Sequence, residues 1–362
     1  MDNIRKTQPS PPIGVLIAQL GTPAAPTPSA LRRYLRQFLS DPRVIEINRL
    51  LWWLILNLIV LVVRPKKSAR LYQRIWTKEG SPLLSTSQAQ VRKLQAALDR
   101  ECGKNRFRVI LGMRYGNPSL AAALDTLCRE GVDRIVLFPM YPQYSGPTTA
   151  STYDEVCKHL LRRRVVPALH VIPPYYDHPH YLRALANSVR ESLDELAWKP
   201  EKVVVTYHGL PQRYVDGGDP YYAHCASTTR ALANELDWAQ EEYLMCFQSR
   251  FGREEWLRPY TDEMLRTLGR QGVQRIAAVC PAFVTDCLET IDEIGEVGKQ
   301  QFREAGGEEL HLISCLNARE DWIEAMKEMI LQETAGWRSF AQQSYLRDQE
   351  TFMPSALRSK VN

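Results

Sequence analysis

The segment Cys280–Val297, CPAFVTDCLETIDEIGEV, gathers the residues best suited to hold a cation or move protons. An apolar run, AAVC, stops at Pro281 and reads as a buried strand. The chain then turns through Thr285 and Asp286 into a helix. On an α-helix Glu289, Glu293 and Glu296 fall at i, i+4 and i+7, which is one face. Carboxylates stacked in this way repel one another. Placed just past a strand end, the row suits a site that binds a cation or relays protons. A plainer reading fits the same letters. Asp286 and Glu289 have capping-box spacing, with Asp286 as the N-cap. Glu293 and Glu296 would then face water near a helix start, where acids suit the dipole. The segment alone leaves both readings open.

His208 follows the run VVVTY and precedes Gly209-Leu210-Pro211, so it sits in a turn at a strand's carboxyl end. An imidazole there serves either as an acid–base group or as a structural hydrogen-bonding group. Arg114 and Tyr115 end an apolar run in the same way. An arginine pairs with a carboxylate, and a tyrosine adds a ring wall with a polar tip. An ion pair at a seam between domains would explain them equally. Trp256 could wall a flat apolar ligand or belong to the core. Arg74 and the stretch Tyr141–Ser145 add polar and aromatic groups. No G-x-G-x-x-G, P-loop or nucleophile elbow stands between a strand and a helix, which disfavours nucleotide and serine-hydrolase chemistry.

These residues need a scaffold, and the chain repeats one. GVLIAQLGTP is mirrored by KVVVTYHGLP, FRVILGMRYG by EYLMCFQSRFG, and GVDRIVLFPMYPQYS by GVQRIAAVCPAFVTD. Arg250-Phe251-Gly252 thereby echoes Arg114-Tyr115-Gly116. Strands alternate with helices throughout, which implies parallel sheets covered on both faces. The expected architecture is α/β: two similar halves, residues 13–170 and 171–335, with a cleft between them and a tail at 336–362. Ligands of such sheets bind beyond the strand carboxyl ends, where every motif above falls.

A chain of 362 residues accommodates two such halves. The net charge is only 46 − 41 = +5, too weak to argue for nucleic acid but compatible with a membrane surface or an anionic substrate. The eight cysteines include no C-x-x-C pair, so zinc and redox sites are disfavoured and a reducing, cytoplasmic setting is expected. No secretory-signal pattern precedes the first strand. Leu50–Val63, LLWWLILNLIVLVV, is the most apolar stretch. Its 14 residues fall short of the roughly 20 that a membrane-spanning helix needs. Trp52, Trp53 and basic flanks suit a membrane interface or the lip of an apolar pocket, though a buried helix would read similarly.

Taken in order, GVLIAQLGTP, RYGNPS, FPMYPQYS, YHGLP, GDPYY, FQSRFG-x-x-x-WL-x-P-x-TDE and DCLETIDEI resemble the ferrochelatase family over residues 13 to 330. The resemblance implies two Rossmann-like domains around a cleft, and insertion of Fe²⁺ into protoporphyrin IX, the last step of haem synthesis. It implies that His208 and Glu289 are catalytic. Arg114, Tyr115, Arg74 and Trp256 would bind the porphyrin, and His208, Glu289, Glu293 and Glu296 would handle the metal. The apolar stretch 50–63 matches the family's membrane-facing lip, so peripheral contact with the inner membrane face is expected.

Fe²⁺ is then a substrate, with no resident cofactor. Some members carry a [2Fe–2S] cluster on cysteines in the C-terminal region. Cys315 is the last cysteine here, so no such cluster is expected. Cys287 stands where many members have histidine, and Leu20 where others have methionine or tyrosine. A coproporphyrin chelatase, another tetrapyrrole chelatase, and a porphyrin carrier without activity are the alternatives. A bilobal anion-binding protein is disfavoured by the lack of an export signal.

Overall fold

The computed structural model describes residues 11–252 and 254–337. Two four-stranded parallel sheets carry the chain. The first comprises β1 (Ile13–Gly21), β2 (Phe107–Tyr115), β3 (Arg134–Pro139) and β4 (Ala168–Val171), in the order β2-β1-β3-β4. The second comprises β5 (Lys202–His208), β6 (Tyr243–Gln248), β7 (Arg275–Val279) and β8 (Glu309–Leu312), in the order β6-β5-β7-β8. The two orders are the same, so the internal repeat in the sequence is a repeat of topology. Almost every residue of β1 and β5 is buried, as unbroken apolar runs in parallel sheets require.

The halves are not independent. One apolar core joins Ile17, Val109 and Phe138 of the first to Val205, Tyr207 and Trp322 of the second. The helix Glu320–Glu333 returns across the first half and packs on Pro82–Cys102. At the end of β1 Gly21 has φ +121°, and an added Cβ would lie 1.8 Å from the Tyr115 carbonyl oxygen. No other residue fits where β1 leaves the sheet. The expected tail lies outside the described residues from 338 onward, as do residues 1–10.

The apolar stretch is not a buried helix. It forms Arg49–Ile55, a π-helical turn Leu56–Val60 and the start of Leu61–Ile75. Leu56 and Leu61 anchor it, and the Trp52 indole N–H donates to the Leu39 carbonyl at 2.6 Å. Leu50, Leu51, Trp53, Leu54, Leu58, Ile59, Val62 and Val63 are exposed. Among the described residues no helix is long and apolar enough to cross a membrane.

Candidate active site

His208 ends β5, paired in register with Gln248 at the end of β6. Its Nδ1 lies 2.7 Å from the Gly209 carbonyl oxygen. A carbonyl only accepts, so Nδ1 carries the proton, and the lone pair of the neutral ring is on Nε2. Gly209 is required here: an added Cβ would meet the Gln248 carbonyl oxygen at 2.9 Å and the Trp256 ring at 3.1 Å. Trp256 is buried behind the His208 turn, its ring packed against Gly209.

The helix after β7 departs from expectation. Glu289–Gly298 is a π-helix, bonded i→i+5. Its wider turns keep Glu289 and Glu293 close but carry Glu296 off their face. Two acidic pairs result. Glu293 feels the charges of His208 and Glu289, whereas Asp292 feels Arg74 and Glu296. The single row of Glu289, Glu293 and Glu296 is therefore corrected: Glu296 is exposed and stands with Asp292. The capping box does not form either. Asp286 accepts from the Asn317 amide at 2.6 Å and the Thr290 hydroxyl at 2.9 Å. Among the described residues no three His, Cys, Asp or Glu side chains converge as a preformed metal site.

Strand ends hold the acids in place. The Gln248 amide donates to the Glu289 carbonyl at 2.7 Å. Ser249, held at φ +68°, donates its N–H to Glu293 Oε1 at 2.7 Å and its hydroxyl to Oε2 at 2.5 Å. Burial raises the Glu293 pKa, and the negative charge of Glu289 adds to the rise; the Ser249 bonds and His208 oppose it. Glu289 faces the first half. The hydroxyls of Tyr34 and Tyr72 are pushed far up, chiefly by burial; that carboxylate is the next cause for Tyr72 and follows Tyr72 for Tyr34. A polar cavity lined by Ser249, Arg250, Asp262, Glu293 and Gln301 opens beside Glu293.

Arg114 and Tyr115 are committed elsewhere. Asp41, which nothing in the sequence singled out, takes an ion pair from Arg114 and hydrogen bonds from the Tyr115 hydroxyl at 2.7 Å and the Ser151 hydroxyl at 2.6 Å. Burial works against its charge, but the Ser151 and Tyr115 bonds, the Arg43 N–H and Arg114 hold its pKa below the usual range. Tyr115 is 1% exposed, packed edge-on against Phe38 at 5.1 Å. Arg74 forms an ion pair with Asp292 at 3.2 Å. Arg64 has no acid partner among the described residues; its guanidinium lies 5.3 Å from the ring of exposed Phe251, across the two halves.

Comparison with known proteins identifies this arrangement. The family model described as Ferrochelatase matches residues 12–334. A ferrochelatase of Hydrogenovibrio crunogenus is 50% identical over 331 residues, 90% of this chain and 87% of that protein. One from Methylobacillus flagellatus is 48% identical over 335 residues, 91% of this chain and 96% of that protein. The chain belongs to the ferrochelatase family.

Solved structures support the ferrochelatase fold at low identity. SirB from Bacillus subtilis with Fe³⁺ superposes with TM-score 0.54 at 11% identity, covering 91% of this chain and 98% of that one. The sirohydrochlorin chelatase SirB of subspecies spizizenii, in complex with cobalt, gives 0.51 at 10%, covering 91% and 97%. Within this ferrochelatase the reading of motifs missed Asp41, Gln248, Ser249 and Asp292. The FQS motif held a signal for two of them, because it ends the strand paired with the one that carries His208.

Proposed function

We propose that this chain, a lyase of haem biosynthesis, inserts Fe²⁺ into protoporphyrin IX to form protohaem, with His208 and Glu289 catalytic and Glu293 their partner. The observation that carries the reading is the position of Glu293, partly buried within the fields of both His208 and Glu289. Insertion replaces two pyrrole N–H protons with one Fe²⁺, so a base and a place for a dication must coexist. The Nε2 lone pair of His208 suits the base. Glu289 and Glu293 suit transient ligation of iron, balance its charge and accept protons. An open set of donors favours delivery, since a closed cage would hold the substrate ion in its ground state. Glu296 and Asp292, on the other face, have a weaker claim on the metal.

The porphyrin is flat and apolar with anionic arms, so it needs aromatic walls and guanidinium groups. Among the described residues Arg64 meets no carboxylate, and it stands over Phe251, which favours it over Arg74 and Arg114 as a propionate partner. The exposed apolar face of residues 50–63, with Arg49, Lys66 and Lys67 beside it, suits peripheral contact with the cytoplasmic face of a membrane. Residues 13–170 and 171–335 are the two functional halves, and neither a resident cofactor nor a C-terminal [2Fe–2S] cluster takes part.

The test is anaerobic incubation of purified protein with Fe²⁺ and protoporphyrin IX, followed by absorbance. Conversion to protohaem is expected. Equal or faster turnover of coproporphyrin would move the substrate assignment, and tight porphyrin binding without metallation would make the chain a carrier.

A further inference from the structure

Asp292 lies between Glu289 and Glu293 in sequence but sits away from the His208 side, beside Glu296. Its side chain is only 5% exposed, and its Oδ1 makes no hydrogen bond among the described residues. The cation beside it is Arg74, 3.2 Å away and half exposed, from the last turn of Leu61–Ile75. That helix begins as the apolar lip and ends against the π-helix. Tyr72 and Ile75 share an apolar cluster there with Leu288 and Ile291. A buried carboxylate with a single cation partner is unfavourable for stability alone. It is costly to break, however, because either partner left behind remains uncompensated.

We propose that Asp292 is a positioning residue: through its ion pair with Arg74 it ties the π-helix to the lip helix of the other half and so places Glu289 and Glu293 opposite His208. The proposal rests on the reading that those two glutamates act in metallation. A π-helix is a strained run that persists only where its surroundings hold it. The second half contributes the Gln248 and Ser249 bonds on one face. The first half contributes Arg74 on the other. Together they clamp the helix from both sides. Glu293 sits on the first of these faces and Glu289 reaches toward Tyr72 of the same lip helix, so loosening Arg74 shifts both acids without touching the substrate.

The proposal gives Arg74 a role that differs measurably from propionate binding. Arg74→Ala and Asp292→Asn are each expected to lower kcat by roughly tenfold or more, the scale of small misplacements of reacting groups, with the KM for protoporphyrin unchanged. Arg74→Lys keeps the charge and restores part of the loss. The double variant Arg74→Ala/Asp292→Asn is expected to lose no more than the worse single variant, because both side chains act through one contact. A raised porphyrin KM at unchanged kcat in Arg74→Ala makes Arg74 a substrate ligand and overturns the proposal. So does unchanged kcat in both single variants, or a double variant whose loss is the full product of the two single losses. Circular dichroism and thermal melting confirm that each variant is folded. Glu289→Gln and Glu293→Gln run alongside: if they retain full kcat, it is the reading of the site that fails, whatever Arg74 does.

Discussion

Ser249 gives both of its donors to one carboxylate: its backbone N–H meets Glu293 Oε1 at 2.7 Å and its hydroxyl meets Oε2 at 2.5 Å. These bonds favour the charged form of a group whose pKa burial has raised. Removing the hydroxyl in Ser249→Ala takes away one of two stabilising bonds, so the Glu293 pKa climbs further. If metallation needs ionised Glu293, activity falls as pH drops through that pKa. The acid limb of kcat against pH should therefore move to higher pH in Ser249→Ala. An unmoved limb would show that Glu293 does not titrate in the rate-limiting step.

The same carboxylate costs stability. A folded-state pKa raised above the unfolded one stabilises the fold below the unfolded pKa, and that contribution is lost as pH rises through the folded value. At neutral pH Glu293 is therefore a net burden. Glu293→Gln keeps an acceptor for the Ser249 N–H and can donate to its hydroxyl oxygen. Its Tm should exceed the parent's at pH 7 while kcat falls, a trade expected at functional sites. Equal melting temperatures at all pH values would contradict the assignment.

Asp41 works in the opposite direction. Its pKa is held below the usual range, so its contribution is present above the unfolded pKa, near 4, and is lost as pH falls through the folded value. Asp41→Ala removes the acceptor shared by Arg114, Tyr115 and Ser151. Breaking a buried ion pair costs about 3–5 kcal/mol, and the low end applies because Glu155 still faces Arg114 at 3.3 Å. Urea unfolding at pH 7 reads that loss, which should shrink as pH falls below 4. A variant with parental stability at pH 7 would refute the network's role.

What the sequence made legible follows from range. The strands, the repeated order and His208 at a strand end depend on apolar runs and the turns that stop them, which are local signals. Asp41 was invisible because its partners Arg114 and Ser151 lie 73 and 110 positions away. The π-helix was invisible for another reason. DCLETIDEI satisfies α-helical spacing, and only the packing of both halves around it widens the turns. That one change separated Glu296 from Glu289 and brought Asp292 into play. The sequence alone offers Arg74 as a ligand-binding arginine, and its ion pair with Asp292 across the halves needs the fold to be seen.

His208→Ala leaves the strand end intact, since among the described residues the ring's one hydrogen bond is to Gly209. The kcat for metallation should fall by about 10²–10⁴, the usual worth of a positioned acid–base group. Porphyrin affinity, read by fluorescence quenching, should change little. A variant that metallates at the parental rate would transfer the base to Glu293 or Glu289.

The exposed face of residues 50–63 is too large to be incidental, with eight apolar side chains turned outward on one short element. Water disfavours that surface, and a lipid interface removes it from water at about 25 cal/mol per Å². Full burial of a large apolar side chain contributes roughly 1.5–3 kcal/mol, so each one lost should weaken binding by at least tenfold. Trp53→Ser/Leu58→Ser should therefore release the protein from vesicles in cosedimentation. Both residues point away from the core, so thermal stability should stay near parental. Turnover of detergent-dispersed porphyrin should also persist, while turnover of porphyrin supplied in vesicles should fall. Undiminished vesicle binding by the double variant would place the membrane contact elsewhere and leave the apolar face to a protein partner.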